Sequence, residues 1–266
     1  MTPPRSRAAR RPPWVLVVPA LAAVALLVLP LVGLVTRAAP SALLRDLASA
    51  EVVAALRLSL FCSLSATALA IPLGVPLAWI LARGTAPGLR WLRALVTLPM
   101  VLPPVVGGVA LLFAFGRRGL VGRWLAESLG VSLPFTTAGV ILAETFVAMP
   151  FLVAAAEAGF RQVDRRYEEA AATLGAQRFA VFARVTLPLA LPALAAGTAL
   201  CWARALGEFG ATITFAGNLP GVTQTLPLAV YVALETRPEA AIALSLLLLA
   251  VSIAVLAALR ERWAGA

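Results

Sequence analysis

Apolar residues run along this chain in long stretches separated by short basic ones. A helix needs about 20 apolar residues to cross a hydrocarbon core of about 30 Å. Six stretches have that length: residues 14–35, 58–81, 92–115, 136–158, 187–206 and 240–259. A seventh, 223–234, is too short to cross and contains Pro227, so it reads as a re-entrant or interfacial piece, or as the front of the last helix. The pattern predicts an all-α integral membrane protein with six transmembrane helices.

Composition supports that reading. Of 266 residues, 61% are hydrophobic and 13% charged, with a mean hydropathy of +0.94. A soluble domain cannot cover so much apolar surface with a polar shell. The 20 prolines and 19 glycines are compatible with helices here, because neighbouring helices and hydroxyl side chains satisfy freed backbone groups in a membrane bundle.

The formal charge of +10 is carried by arginine alone, since the chain has no lysine. A charge of that size can mark a nucleic-acid binder. The placement argues instead for membrane topology and against nucleic acid. Fourteen arginines lie on one set of helix ends: Arg5, Arg7, Arg10, Arg11, Arg83, Arg90, Arg93, Arg161, Arg165, Arg166, Arg178, Arg184, Arg260 and Arg262. The other loops and span edges hold eight, namely Arg37, Arg45, Arg57, Arg117, Arg118, Arg123, Arg204 and Arg237. Cytoplasmic loops carry the basic excess, so the first set faces the cytoplasm. Both termini then lie inside, as six spans require. The first span also has a signal-peptide aspect, with a basic head before it and small residues (Ala38, Ala39, Ser41, Ala42) after it. Its apolar run of about 22 residues exceeds the usual length of such a segment.

Several chemistries are excluded. A P-loop requires lysine, so the chain has no phosphate cradle of that type. There is no histidine, no metal-ligand spacing and no G-x-S-x-G elbow; Cys62 and Cys201 sit in apolar stretches as small hydrophobes. No catalytic residue, metal site or cofactor is expected, and ATP would be bound by a partner. Gly107-Gly108 lies inside a span and reads as helix packing or a kink. A stand-alone secondary transporter would show repeated helices or a relay of mid-span ionisable groups; neither is found.

The longest cytoplasmic connection, 159–186, is the most informative segment. Residues 164–174 have helical periodicity, with Tyr167, Ala170, Ala171 and Leu174 on one stripe and Arg165, Arg166, Glu168 and Glu169 off it. Gly175 stands at a C-cap position. A second short helix follows, with Phe179, Phe182 and Ala183 on one face. Two short amphipathic helices at a glycine turn could be a docking knob whose rim carboxylate, Glu169, meets a partner's arginine. They could equally lie on the membrane surface.

Glu169-Ala170-Ala171, three residues, Gly175, nine residues and Val185-Thr186-Leu187-Pro188 resemble the EAA loop of ABC-importer permeases. Valine stands where that family has isoleucine. The resemblance implies a type I ABC importer (MetI-like) transmembrane domain over residues 52–260, with its coupling loop at 159–188. It leaves a basic tail at 1–13 and an extra N-terminal helix at 14–36. In that family the loop docks into the ATPase, so Glu169, Ala170, Ala171, Gly175, Leu187 and Pro188 are the implied ATPase-coupling residues. The implied partners are an ATP-binding subunit dimer, an extracytoplasmic binding protein, a second copy of the chain and membrane lipid.

Within that family, residues 204–212, Phe215 to Gly221 and the Thr223-Gln224-Thr225-Leu226-Pro227-Leu228 run look like the molybdate permeases. So do residues 98–106 and 115–119. Sulfate and tungstate permeases share part of this pattern. A dianion crossing a low-dielectric slab needs hydroxyls, backbone N–H groups and helix N-termini around it. Thr212, Thr214, Asn218, Thr223, Gln224 and Thr225 are the candidates for its path, against the alternative that they cap turns. Arg204 and Glu208, spaced i, i+4, can pair as a packing element or serve as a gate. Glu144, in mid-span, is expected to meet an arginine of another helix or to be protonated.

Overall fold

The computed structural model describes residues 14–38, 47 and 49–264, and every regular element among them is a helix. The basic tail at 1–13, Ala39, Ser41, Ala42 and Arg45 lie outside the described residues. The helices are α1 (Trp14–Thr36), α2 (Ala50–Arg83), α3 (Leu89–Val101), α4 (Pro104–Phe115), α5 (Gly122–Leu129), α6 (Thr137–Gln162), α7 (Arg165–Thr173), α8 (Arg178–Val181), α9 (Leu187–Leu206), α10 (Gly210–Ala216), α11 (Leu226–Thr236) and α12 (Pro238–Ala264). A π-helical turn, Phe182–Thr186, joins α8 to α9.

The bundle is built around α6. It begins where the Thr136 hydroxyl accepts a hydrogen bond from the Gly139 N–H at 3.1 Å. It buries residues on all sides, as a helix apolar all round must. Small residues bring its neighbours close. A Cβ on Gly197 of α9 would stand 2.8 Å from that of Ala155, and one on Gly74 of α2 would lie 3.2 Å from Val153. Such backbone approach is how membrane helices associate when burial of apolar surface no longer drives them together. Helix α1 stands apart: it has no buried residue and touches α12.

The stretch 92–115, expected as one span with packing or a kink at Gly107-Gly108, is two helices meeting at 117°. The cause is Pro103-Pro104. A proline disfavours helical geometry in the residue before it and donates no N–H; Leu102 and Pro103 are accordingly extended. Their packing still runs the depth of α6. Arg93 of α3 reaches Glu157, Gly107 faces Phe146, and Leu111 of α4 joins Ala143 and Val147. Four described helical segments (α1, α2, α6 and the continuous run Arg178–Leu206) are long and apolar enough to cross a membrane alone; the bent pair, sharply folded on itself, is a broken span or a re-entrant loop. The remaining expected span, 240–259, falls within α12.

Pro227 does not interrupt the 223–234 segment. It sits in the first turn of α11, where its missing N–H costs nothing. Arg237 leaves helical geometry and separates α11 from α12, so the segment is not the front of the last helix. Ala233, Ala240, Ala241 and Leu244 pack the two helices together with Val52 and Ala55 of α2.

Candidate functional site

The elbow α7–α8 stands at the arginine-rich end of the bundle. The Asp164 carboxylate starts α7 by accepting from the Arg166 N–H at 3.0 Å. The helix stops in a paired closure, with Ala176 N–H donating to the Ala171 carbonyl and Gly175 N–H to the Ala172 carbonyl. That pattern needs a left-handed residue at its corner, and Gly175 supplies it at φ +87°. Nothing lies within 4 Å of where its Cβ would be, so backbone conformation and not crowding requires glycine.

The elbow is amphipathic in reverse. Tyr167, Ala170 and Leu174, three of the four positions on the apolar stripe, face outward, as does Phe179; Leu174 is 89% exposed and Phe179 78%. Ala171 is half-buried, Glu169 and Gly175 are exposed, and Leu187 and Pro188 form the start of α9. Clustered exposed apolar side chains mark a surface that another molecule covers. Phe179 and Phe182, expected on one face, divide. Phe182 turns inward, 5.6 Å from Trp79 and 6.1 Å from Phe160 between ring centroids.

The inward side of α7 carries a carboxylate. Glu168 Oε1 accepts from Arg83 Nε at 3.1 Å and from the Thr186 hydroxyl at 2.8 Å, and Arg83 Nη2 stands 3.0 Å away. Arg83 Nη2 also donates to the Val163 carbonyl at 2.7 Å. Earlier in the chain, Glu157 of α6 pairs with Arg93 at 2.8 Å and with Arg161 at 2.7 Å, while Arg93 donates to the Leu81 carbonyl. Sequence reasoning counted Arg83, Arg93 and Arg161 only as topology charges and did not single out Glu157 or Thr186. The signal for them is scarcity. Asp164, Glu157, Glu168 and Glu169 are the only acids of the 157–188 region, set among many arginines.

The π turn has a chemical cause. Pro188 offers no N–H to the Arg184 carbonyl, and its ring would clash there in a regular helix. Widening the turn shifts the bonding so that Leu187 N–H donates to the Phe182 carbonyl.

The polar candidates at the opposite end do not form one cluster. Thr214 bonds the Gly210 carbonyl within α10, and the Thr223 hydroxyl accepts from the Leu219 N–H; both serve their own backbone. Gln224 lines a cleft of about 260 Å³ with Glu51, Pro220 and Arg237. Thr212 and Thr225 are fully buried, and among the described residues their hydroxyl oxygens meet no partner, nor does the buried side-chain oxygen of Asn218. Arg204 and Glu208 pair at 2.6 Å, although Glu208 lies just beyond the end of α9, and its other oxygen accepts from the Ala211 N–H at 2.7 Å. Glu144 is fully buried and, among the described residues, meets no arginine; its Oε2 has no partner. The Gly107-Gly108 pair is a packing device. A Cβ on Gly108 would stand 2.6 Å from Thr214 Cβ and 2.9 Å from the Ala211 carbonyl.

Bundle and elbow together define a multi-pass membrane protein with an exposed apolar elbow at its arginine-rich end. Comparison with known proteins bears on which kind. The family of binding-protein-dependent transport system inner membrane components matches residues 70–264, and the chain belongs to it. It is 49% identical to the molybdenum transport system permease protein ModB of Mycobacterium tuberculosis over 92% of both chains. To the protein of the same name in Escherichia coli K12 it is 42% identical, over 79% of this chain and 91% of that one. Among solved structures it resembles a chain of a bacterial ABC transporter that imports alginate. The TM-score is 0.77 at 16% identity, covering 94% of this chain and 93% of that one, a likeness of fold.

Proposed function

We propose that this chain is the permease subunit of an ATP-driven molybdate importer in the cytoplasmic membrane. The observation that carries the cargo is the near-full-length likeness to molybdenum permeases. The reverse-amphipathic elbow supports the motor: it offers Tyr167, Ala170, Leu174 and Phe179 as an apolar contact, with the Glu169 carboxylate beside them for an arginine of an ATP-binding subunit. The working unit pairs two copies of this chain with two ATPase subunits and receives its anion from an extracytoplasmic binding protein. Both termini face the cytoplasm with the arginine-rich end. A dianion cannot cross hydrocarbon unaided, so the path runs between the two permease copies. Thr214, Asn218 and Gln224, the candidates that are only partly buried within one copy, are its candidate lining.

The test is reconstitution with the ATPase and binding protein in vesicles, following molybdate uptake with sulfate, thiosulfate or tungstate as competitor. Uptake should survive excess sulfate. Equal competition by sulfate assigns the chain to the sulfate class of the same family. Glu169→Arg should abolish uptake and co-purification of the ATPase while the folded bundle is retained; normal uptake removes the docking role.

A further inference from the structure

The residue that ties the elbow to the bundle is not the exposed Glu169 but the neighbour facing the other way. Glu168 Oε1 is a three-way junction. It holds Arg83 from the last turn of α2, Thr186 from the π turn that leads into α9, and its own helix α7. Arg83 extends the junction to the Val163 carbonyl, at the point where α6 ends and α7 begins. Three elements thus meet at one carboxylate oxygen, and Arg83 ties in the boundary between α6 and α7. The site is sheltered: Thr186 is 1% exposed, and the Arg83 and Glu168 side chains are 10% and 20% exposed. Charge-assisted hydrogen bonds in such surroundings are short and directional, and stronger than neutral ones.

The rest of the elbow could not transmit a push. Its outer face is apolar, its corner is a single glycine, and the turn after it is π-helical, not α-helical. Without the junction, movement of α7 would be absorbed at Gly175 and in the π turn before reaching α2 or α9. With it, displacement of α7 pulls on α2 and α9 together, and these two helices flank α6.

We infer that Glu168, with Arg83 and Thr186, is a positioning latch that converts movement of the docked elbow into movement of α2 and α9, so that its loss uncouples ATP hydrolysis from transport. The inference rests on the elbow being the motor's docking site, and the two can be separated experimentally. A docking residue, when lost, removes the ATPase from the complex. A latch residue leaves the complex assembled and turning over.

The experiment compares Glu168→Gln, Thr186→Ala and Thr186→Ser in the full reconstituted importer, measuring ATPase co-purification, ATP hydrolysis and molybdate uptake side by side. Glu168→Gln and Thr186→Ala should co-purify with the ATPase and hydrolyse ATP within about twofold of the parent rate. Their uptake per ATP should fall about tenfold, within the range of allosteric coupling factors. Thr186→Ser keeps the hydroxyl and should restore the ratio, which a purely structural role for the side chain's bulk would not predict. Uptake and hydrolysis falling in proportion in assembled complexes would overturn the latch, as would an unchanged ratio in both variants. If Glu168→Gln does not assemble, the Thr186 pair decides alone: equal ratios for Ala and Ser sink the inference. If Glu169→Arg retains the ATPase while the latch variants uncouple, Glu169 is not a docking residue and the latch stands.

Discussion

At the arginine-rich end of the bundle two carboxylates, Glu157 and Glu168, each hold more than one partner; at the opposite end Gly108 and Gly210 let helices meet backbone to backbone. Glu157 joins α6 to α3, and Glu168 joins α7 to α2 and the π turn. Across the membrane, Gly108 presses on α10, and a Cβ on Gly210 would lie 2.7 Å from that of Pro104. Charge bridges tolerate small shifts of the chains they join, because long side chains can follow. Glycine contacts do not, since one added carbon has nowhere to go. The comparison suggests an end built to move with a partner and an end built to stay closed.

The glycine contacts should therefore give the largest effect when broken. Gly108→Leu would drive a branched side chain into Thr214 and the Ala211 backbone, and overpacking of a tight contact costs about 1–3 kcal/mol or more. We expect sharply reduced folded protein and a lowered Tm in lipid nanodiscs. A variant with the parent Tm would mean that α4 and α10 can part freely and that the opposite end is not rigid.

Next in size is the shared carboxylate. Glu157→Ala leaves two arginines without their partner, of which Arg93 is 38% exposed and Arg161 52%. Removing one member of a fully buried pair costs about 3–5 kcal/mol, and this exposure lowers the expected loss to about 2 kcal/mol. The drop in Tm should be accompanied by faster hydrogen exchange at the start of α3. An unchanged exchange rate there would show that Arg93 is held by the Leu81 carbonyl alone.

The elbow's corner comes third. Gly175→Ala meets no neighbour and carries only the left-handed penalty, about 1–2 kcal/mol in the cost of that conformation. Because the elbow packs lightly, the loss should appear as local exchange in α7 with little change in global Tm. A global shift as large as that of Glu157→Ala would mean that the elbow is part of the core.

How much of this was readable from the chain depends on how far apart the partners are. The limits 14–35 and 187–206 nearly coincide with α1 and α9, because an apolar run and its ends are local facts. Gly175 at the helix corner and the Arg204–Glu208 pair were legible for the same reason. A kink in 92–115 was raised at Gly107-Gly108 and not at Pro103-Pro104, where the break falls, because hydropathy measures solubility in lipid and is blind to direction. Glu168 was passed over for Glu169. Its arginine lies 85 residues away, and no local rule says which of two adjacent acids faces inward. The same limit dispersed the anion-path candidates. Thr214 and Thr223 serve their own backbone, a turn role raised from the sequence, whereas the burial of the Thr212 and Thr225 hydroxyls emerges only once the bundle is assembled.

The smallest expected effect is also the sharpest check on the contrast between the two ends. Arg237 and Glu51 form an ion pair at 2.9 Å beside the cleft at the opposite end, as short as the pairs around Glu157. Distance alone would rank them equal. Their side chains are 66% and 75% exposed, however, so water screens the attraction and ordering two long side chains offsets what remains. Arg237→Ala should therefore change stability by less than about 0.5 kcal/mol, with a Tm insensitive to added salt in both proteins. A loss comparable to that of Glu157→Ala would mean that the α2, α11 and α12 junction is stitched by charge after all, and that the two ends are held by one kind of force.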